Sequence, residues 1–316
     1  MSMVIEGYYC FGSFGEVQDL AAAMKNESLP PVTHETDLSA LPGYFPPRTL
    51  RQCDRFSRLA LLGAKRAVES AGLSPADIRD CGIVLASGYG PATPTFDFID
   101  SLLDYGEGMA SPLAFSISVH NIPAAIIAKN LMVVGPCATV CQFDSAVASG
   151  LLLAQGWLAE GRVERVIFGA VDEKTAVLEV IIAQLRRERE EMGCFSCRRD
   201  LPLGEGAAFF VLAKENSAGM GRIESVSLDY APEGFAAKTS GEDLRFTSGA
   251  IPGLAGDVAA INGNLAFGNI PVGQAFNCAS ALYMMRESGE GKLALCLHYG
   301  SGIQSAVLLG EWADDK

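Results

Sequence analysis

The stretch GPCATVCQFDSAVASG, residues 135–150, decides how this part of the chain folds. Its first part, from Ala138 to Phe143, is a short run typical of a β-strand. An apolar helix is expected from about Ser145, so the pattern predicts a sharp turn between the two elements. Such a turn often carries a nucleophile, because a helix N-terminus stabilises negative charge that develops there. The residue at the turn, however, is Asp144, whose carboxylate has little nucleophilic use in acyl chemistry.

Composition limits the classes of protein that this chain can belong to. Of its 316 residues, 49% are hydrophobic, which is typical of a globular protein with a large core. Uninterrupted apolar runs stay well below the ~18 residues of a membrane span, and the first residues do not resemble a signal peptide. The formal net charge of −13 argues against general nucleic-acid binding. We therefore expect no nucleic-acid partner and no membrane span.

The cysteines indicate a reducing compartment. Nine cysteines, an odd number, are scattered through segments that look buried, which favours free thiols in a cytoplasmic protein over a disulfide framework. Cys194 and Cys197 form a CxxC pair, but a second pair and a nearby histidine are missing, so a zinc site is not expected. We predict neither a metal site nor a cofactor.

Strands and helices alternate along the chain in two series. Apolar patterns predict strands over residues 3–10, 82–87, 166–169 and 204–212, and helices over 55–70, 121–132, 145–160 and 177–189. A shorter series begins near Gly221, with strands over residues 222–228, 293–298 and 305–309 around a helix over 272–287. Two such series predict a duplicated α/β architecture. We divide it into an N-terminal half, residues 1–220, and a truncated C-terminal half, residues 221–316.

Four segments in a fixed order resemble a known family. They are SPLAFSISVHNIPAAIIAKNLMVVGPCATV (111–140), GRVERVIFGAVDE (161–173), LPLGEGAAFFVL (201–212) and HYGSGIQSAVLLG (298–310). Together they resemble the β-ketoacyl synthases of the thiolase fold. The motif SVHNxPA followed by GP resembles the corresponding sequence of the chain-length factors of that family, notably those of aryl polyene biosynthesis. The resemblance implies an α/β thiolase-like fold, with duplicated βαβαβ halves in α-β-α-β-α layers and a shortened second half.

The residues that such a synthase needs are missing here. The family uses an elbow cysteine as acyl acceptor, two histidines and a lysine. Asp144 stands at the cysteine position, and Asn269 stands at that of the second histidine. The segment INGNLAFGN (261–269) has no lysine, and nothing between Asp229 and Ala266 matches the NxHGT motif of the first histidine. The resemblance therefore implies a degenerate site without catalytic residues, in which Asp144 serves as a helix cap.

The three histidines and the nearby thiols have plainer roles available. His34 precedes the recognisable core, and His298 ends a predicted strand where it can face the former site. We expect His120 to be a hydrogen-bonded structural residue rather than part of an acyl pocket. Cys137 and Cys141 are expected to be buried, unreactive thiols.

The resemblance also implies a subunit interface. In the family, the strand before the elbow pairs antiparallel with its counterpart across a two-fold or pseudo-two-fold axis. The residues assigned to this interface and its acyl pocket are Ser116, Ser118, His120, Asn121, Pro123, Thr139, Val140, Cys141, Gln142 and Phe143. The strongest positive cluster in this acidic chain is a solvated face or, alternatively, a partner patch, and consists of Arg186, Arg187, Arg189, Arg198 and Arg199.

These features predict a catalytically silent subunit of the chain-length-factor type. It would pair with an active β-ketoacyl synthase as a heterodimer and shape the acyl tunnel in fatty-acid, polyketide or aryl polyene synthesis. The acyl carrier protein would be met only through that partner. Two alternatives stay open. One is a thiolase-fold acyltransferase or decarboxylase that uses Asp144, Cys141 or His120, and the other is a homodimeric scaffold that binds an acyl chain or a carrier protein.

Overall fold

The computed structural model describes residues 1–26, 35–191, 201–215, 217–231, 242–249, 260–287, 289, 292–300 and 302–311. The strands are β1 (Met3–Gly12), β2 (Gly15–Glu16), β3 (Gly82–Ser87), β4 (Cys137–Cys141), β5 (Arg165–Asp172), β6 (Gly206–Ala213), β7 (Gly221–Tyr230), β8 (Leu244–Gly249), β9 (Ala260–Asn262), β10 (Leu293–Gly300) and β11 (Ile303–Gly310). The helices are α1 (Val17–Lys25), α2 (Leu41–Tyr44), α3 (Pro47–Leu50), α4 (Arg55–Ser70), α5 (Ala92–Tyr105), α6 (Pro112–Ser118), α7 (Ile122–Leu131), α8 (Ala146–Ala159), α9 (Ala176–Glu191), α10 (Asn264–Phe267) and α11 (Gly273–Glu287).

The strand order shows that the two halves repeat one topology. The sheet runs β4-β3-β5-β6-β1-β7-β11-β10-β8-β9, with β2 paired to β1. Leaving β2 aside, each half has its own five strands in the order third, second, fourth, fifth, first. In both halves the fifth strand, β6 or β11, is antiparallel to its two neighbours, while the second strand is parallel to its own. The predicted duplicated α/β fold is thereby confirmed. The division at residues 220 and 221 stays a prediction.

Alternating residues of the first sheet face two different cores. Ile83 and Leu85 of β3 pack outward against α4 and α7, whereas Val84 and Ala86 pack inward against α8. A strand buried on both faces needs an apolar run rather than an alternating pattern. This explains why GIVLAS (82–87) predicts the position of β3 correctly. Helix α4 has the predicted bounds, and its start is capped by Asp54, which accepts from the Ser57 backbone N–H at 3.3 Å.

The central layer consists of α8 and α11. Both helices are packed between the inner faces of the two halves, in one core that also contains Phe168, Phe210, Cys296 and Val307. Twelve of the fifteen residues of α11 are buried, so this helix has no side that faces water. Because such a helix is stable only when it is covered all round, the two halves of the sheet must enclose α11.

The second half is shorter than the first, as predicted. Residues 231–243 are all that lies between β7 and β8, while residues 13–81 separate β1 from β3. Within the described ranges, no helix occurs between β7 and β9, so the outer helical layer is seen on the first half only. No described helix is long and apolar enough to cross a membrane.

Several elements differ from the sequence prediction. The strand expected over residues 138–143 ends at Cys141, because Phe143 takes a positive φ of 44° and starts a 3₁₀ turn over Phe143–Ser145. The sequence patterns do not predict α1, α5, α6 and β8. In α5 and α6 the apolar residues lie on the exposed side, so these helices lack the one-sided pattern that predicts a core helix.

A glycine pair tests the packing of the outer core. A Cβ at Gly63 of α4 would overlap the ring of Phe209, which is fully buried, whereas a Cβ at Gly156 of α8 meets open space. Helix propensity favours alanine by about 1 kcal/mol at both positions, but overpacking costs about 1–3 kcal/mol or more. We expect Gly63→Ala to lower the free energy of unfolding and Gly156→Ala to raise it slightly, measured by urea denaturation. Equal stability of the two variants would contradict this packing.

Candidate functional site

The elbow places Asp144 just before the N-terminus of α8. The helix begins at Ala146 with Ser145 as its N-cap, and the side chain of Ser145 makes no capping bond. Asp144 therefore lies one residue before the cap position predicted for it, because the 3₁₀ turn adds a residue between strand and helix. Its side chain is 29% exposed, so the carboxylate is reachable from the surface.

A buried histidine from the other half contacts this carboxylate. His298 Nε2 lies 3.3 Å from Asp144 Oδ1, and the histidine is 1% exposed. On its other side, His298 Nδ1 lies 2.9 Å from the hydroxyl of Ser248, which is also 3.4 Å from the Leu297 carbonyl oxygen. The parallel pairing of β8 with β10 puts Ser248 directly beside His298. The sequence indicated that His298 can face the site, and the structure confirms it; Ser248 was missed.

Two glycines make room for this chain of hydrogen bonds. The Asp144 carboxylate packs against the backbone of Gly300, where any Cβ would overlap it. Gly249 follows Ser248 with a φ of 75°, a conformation that favours glycine. Asn264 fixes that residue, because its amide donates to the Gly249 carbonyl and accepts from the Gly249 N–H, both at 3.3 Å. Asn264 belongs to the segment that lacks the family's lysine.

Asn269, predicted to be the other degenerate position, forms backbone hydrogen bonds. Its N–H donates to the Pro202 carbonyl at 2.8 Å, and its carbonyl accepts from the Gly204 N–H at 3.0 Å. These bonds join the segment before α11 to the segment before β6. The described contacts of Asn269 thus connect the two halves and include none to Asp144.

A buried carboxylate anchors the loop after β3, residues 88–91. Asp172, at the end of β5, accepts from the Ser87 hydroxyl at 2.6 Å and from the N–H groups of Gly88 and Tyr89 at 3.1 Å. Burial raises the pKa of Asp172 to about 6, although these hydrogen bonds and one from the Val272 N–H oppose the rise. This carboxylate therefore holds the loop in place against the second half.

The same loop collects several of the predicted interface residues. The ring of His120 packs on Gly90, Cys141 Sγ lies 3.5 Å from the Gly88 carbonyl, and the Tyr89 ring contacts Phe143 edge to face at 6.1 Å. His120 is exposed, and within the described part of the chain its ring has no hydrogen-bond partner. The prediction of a hydrogen-bonded structural histidine is therefore wrong, because the ring stacks on a glycine backbone instead.

The remaining interface residues lie at or near the edge of the sheet. β4 pairs only with β3, so its other side carries no strand among the described residues. Pro123 is buried in the first turn of α7, whereas the others are half-buried or exposed: Ser116, Ser118, Asn121, Thr139, Val140 and Gln142. Whether they form an interface or line an acyl pocket stays a prediction.

The two thiols of β4 are not buried in this chain. Cys137 and Cys141 are exposed because they sit on the edge strand, which corrects the prediction of buried thiols. Desolvation nevertheless raises the pKa of both thiols, that of Cys141 to about 11. Neither is therefore appreciably a thiolate at neutral pH.

Other predicted features fall partly outside the described residues. Of the arginine cluster, Arg187 is exposed on α9, and the side chains of Arg186 and Arg189 lie outside the described part. The remaining predicted residues lie wholly outside it: Arg198, Arg199, His34, Cys194 and Cys197. Within the described residues, no cluster of side chains has the composition of a metal site.

One apolar cavity lies between α8 and the inner sheet faces. It is lined by residues such as Ile5, Val147, Leu151, Phe210 and Leu309, and it offers about 10 Å³. That volume is no more than a water molecule needs, so this cavity does not accommodate an acyl chain.

Comparisons with known proteins agree on one family. Residues 13–218 match the family model described as the β-ketoacyl synthase N-terminal domain. The chain is 29% identical over 204 residues to a Streptomyces virginiae protein assigned as polyketide β-ketoacyl synthase 1, and 22% identical over 188 residues to the chloroplastic 3-oxoacyl-[acyl-carrier-protein] synthase I of Hordeum vulgare. These matches cover 59% and 54% of this chain but only 48% and 40% of the relatives.

Solved structures share the fold over nearly the whole chain. The ishigamide ketosynthase/chain length factor superposes with a TM-score of 0.74 at 15% identity, covering 99% of this chain and 100% of the other. A type II polyketide ketosynthase, solved with its acyl-carrier protein, gives 0.74 at 15% identity, covering 98% and 99%. A β-ketoacyl synthase from Burkholderia phymatum gives 0.72 at 14% identity, covering 98% and 99%. At these identities the likeness shows the fold alone.

The contact between Asp144 and Gly300 is testable by a double-mutant cycle. Gly300→Ala forces the carboxylate away from His298, so we expect a loss of stability in the otherwise unchanged chain. In an Asp144→Gly background the added methyl has room, and the loss is expected to shrink by about 1 kcal/mol or more. Urea denaturation of the four proteins measures the coupling. Additive effects would show that Gly300 does not accommodate Asp144.

Glu173, the residue after β5, makes stability depend on pH. Its side chain is buried, Oε1 accepts from the Thr93 N–H at 2.9 Å, and Oε2 has no hydrogen-bond partner among the described residues. Desolvation raises its pKa from 4.5 to about 7. Because the folded protein binds this proton more tightly than the unfolded chain does, the group stabilises the fold below pH 4.5, and this contribution of roughly 3 kcal/mol is lost as pH rises towards 7.

Glu173→Gln keeps the acceptor for Thr93 and removes the titration. We therefore expect this variant to gain stability relative to the unmodified chain between pH 5 and pH 8, measured by urea denaturation at each pH. The exposed Glu160→Gln serves as the control and should follow the unmodified chain. A parallel pH dependence for Glu173→Gln would contradict the assignment.

Proposed function

The chain belongs to the β-ketoacyl synthase family, and we propose that it is a catalytically silent subunit of the chain-length-factor type. In this role it pairs with an active ketosynthase and shapes the tunnel that receives the growing acyl chain. The likeness to β-ketoacyl synthases in sequence, and to ketosynthase/chain length factor structures in fold, supports this proposal. Experiments must test three claims: that the chain pairs with a ketosynthase, that it is catalytically silent, and that it shapes the acyl tunnel.

One observation carries the proposal: Asp144 occupies the elbow and is held by His298. A condensing enzyme needs a thiolate here, because a thioester is stable enough to wait for the second substrate and reactive enough to transfer its acyl group. An acylated carboxylate would be a mixed anhydride, which water hydrolyses readily. The elbow of this chain therefore keeps the geometry of the family's site without its acyl acceptor.

Neighbouring thiols do not replace the missing nucleophile. Cys141 lies three residues before Asp144, but its pKa of about 11 leaves almost none of it as thiolate at neutral pH. The Ser248 hydroxyl is in contact with His298, yet Ser248 is 1% exposed and cannot be reached by a carrier-bound acyl chain. The hydrogen-bonded groups at the elbow thus favour a structural role.

The surface around β4 supports pairing with another subunit. Within the part of the chain that the structure describes, β4 is an edge strand with an open side, and such edges are normally covered or protected. Large apolar side chains are exposed on the segments that flank the strand, among them Met132, Val134 and Phe143, each more than 60% exposed. An open edge next to exposed apolar residues is typical of a surface that a partner covers.

The proposed biosynthetic pathway is inferred from membership of the family and not from the geometry of the site. A pair of this kind would extend carrier-bound chains from malonyl units in fatty-acid, polyketide or aryl polyene synthesis. The active partner would dock the acyl carrier protein, and this chain would limit the length of the product across the interface.

One observation favours a second candidate. Asp144, His298 and Ser248 form a continuous hydrogen-bonded chain that ends at a partly exposed carboxylate. Such a chain also suits an acid–base group, as in a thiolase-fold acyltransferase or decarboxylase with unusual residues. This candidate requires Asp144 for turnover, whereas the silent subunit does not.

Native mass spectrometry of the chain co-expressed with the ketosynthase encoded beside its gene tests the proposal. We expect a one-to-one heterodimer with acyl groups on the partner only, because this chain has no thiolate at its elbow. A homodimer that ignores the ketosynthase would contradict the proposal and favour the scaffold alternative.

Asp144→Asn separates the silent subunit from the enzyme. In the purified pair we expect kcat of chain extension to stay within about twofold of the unmodified pair, since no proton transfer involves this residue. Loss of a true acid–base group costs about 10²–10⁴-fold. A loss of kcat of that size in an intact heterodimer would contradict the proposal that this chain is catalytically silent. The active-site Cys→Ala variant of the partner provides the control for complete loss of turnover.

A further inference from the structure

The connection between β3 and the edge strand β4 exposes an apolar face. Helices α5 and α6 pack against each other, with the Phe98 and Phe115 rings 5.2 Å apart and the Ser111 N–H bonded to Ser101 Oγ at 3.0 Å. Six large apolar residues on this pair and the turn between them are at least 40% exposed. We call this surface the α5–α6 face, defined by Ile99, Leu103, Tyr105, Met109, Leu113 and Phe115.

Acidic side chains accompany the apolar ones on this face. Asp97, Asp100 and Asp104 are exposed and spaced i, i+3 and i+7, so they form one stripe along α5. Ile99 and Leu103 lie beside that stripe. Glu107 follows in the turn after α5, and none of these four acids forms a salt bridge with a described residue.

Basic residues are missing from the same stretch. Residues 80–128 contain no lysine and no arginine. The next base, Lys129 on α7, lies near Cys53, two residues before α4. Its charge opposes the rise that burial causes in the pKa of that thiol. Within residues 80–128, the α5–α6 face therefore combines apolar side chains with acids and with no lysine or arginine.

We propose that the α5–α6 face selects the partner subunit by charge: it fits a ketosynthase whose matching surface carries lysines or arginines, and it disfavours a second copy of this chain. The inference rests on the proposed function and adds the chemistry of the partner's surface to it. Proximity to the elbow supports it, because α5 starts from the loop whose Tyr89 ring contacts Phe143, next to the open strand β4.

Symmetry explains why a second copy is disfavoured. A two-fold homodimer places the same patch on both sides of the interface, so the four acids of each copy would lie in one interface without any base from this segment. Like charges brought together at an interface suppress the wrong partner, and opposite charges speed the encounter with the right one. The exposed apolar residues supply the area to be buried, while the acids decide which surface buries it.

Charge reversal on α5 tests the inference. Asp100→Lys/Asp104→Lys changes the net charge by +4 at two exposed positions. The matched control, Glu160→Lys/Asp229→Lys, makes the same change at two exposed positions, the C-cap of α8 and a residue of β7. Each protein is purified and titrated against the ketosynthase encoded beside the gene, and its homodimer is measured by analytical ultracentrifugation.

We expect the control to bind the ketosynthase like the unmodified chain and the α5 variant to bind roughly tenfold more weakly at low salt. The difference should shrink as salt rises from about 0.05 M to about 0.5 M, because the charges become screened. The α5 variant should also form more homodimer. Asp100→Asn/Asp104→Asn, which removes charge without reversing it, should shift both quantities in the same direction by less, and circular dichroism verifies that each variant is folded.

The outcomes separate this inference from the proposed function. If the unmodified chain pairs with the ketosynthase and the folded α5 variant pairs equally well, charge selection is wrong and the silent-subunit proposal stands. If the unmodified chain does not pair with the ketosynthase, both are wrong. If the control loses as much affinity as the α5 variant, overall charge rather than the α5–α6 face governs pairing, and the inference is overturned.

Discussion

Burial of the two central helices between the halves of the sheet is the constraint on which the rest of the structure depends. α11 has no polar side to turn towards water, and α8 buries eight of its fourteen residues, so the two halves of the sheet pack on opposite sides of the pair. The repeated strand order of the two halves satisfies this requirement twice over. The apolar runs of β3, β5 and β6 follow from it, because these strands are covered by the central helices on one face and by outer helices on the other.

The elbow site is a consequence of that packing. The N-terminus of α8 emerges between the halves, where the ends of β8 and β10 from the second half reach it. Polar groups buried at such a junction must be satisfied by one another. Asp144, His298 and Ser248 meet this condition through a chain of hydrogen bonds, and Gly300 leaves the space that the carboxylate needs. The turn between β4 and α8 is thus held by a polar network that links the halves.

The surface of the first half explains why pairing is the central element of the proposed function. Among the described residues, β4 ends the sheet with an open side, and the connection that leads to it carries exposed apolar residues together with acids that form no salt bridge. An interface of this composition gains its free energy from apolar burial and its selectivity from charge. Part of the chain's net negative charge is concentrated here, because the 49 residues 80–128 contain acids but no lysine or arginine.

The sequence by itself determined the elements whose pattern reflects local structure. Continuous apolar runs located β3 and the central helix α8, helical spacing located α4, and the order of family segments predicted the duplicated fold. That Asp144 stands at the position of the family's nucleophile stays a prediction. The tertiary structure alone decided that His298 contacts Asp144, since 154 residues separate them and no local pattern encodes such a distance. It alone decided that Cys137 and Cys141 are exposed and that α5 and α6 have an apolar outer side. Apolarity in a sequence says that a side chain tends to be buried, but which surface buries it depends on where the sheet ends.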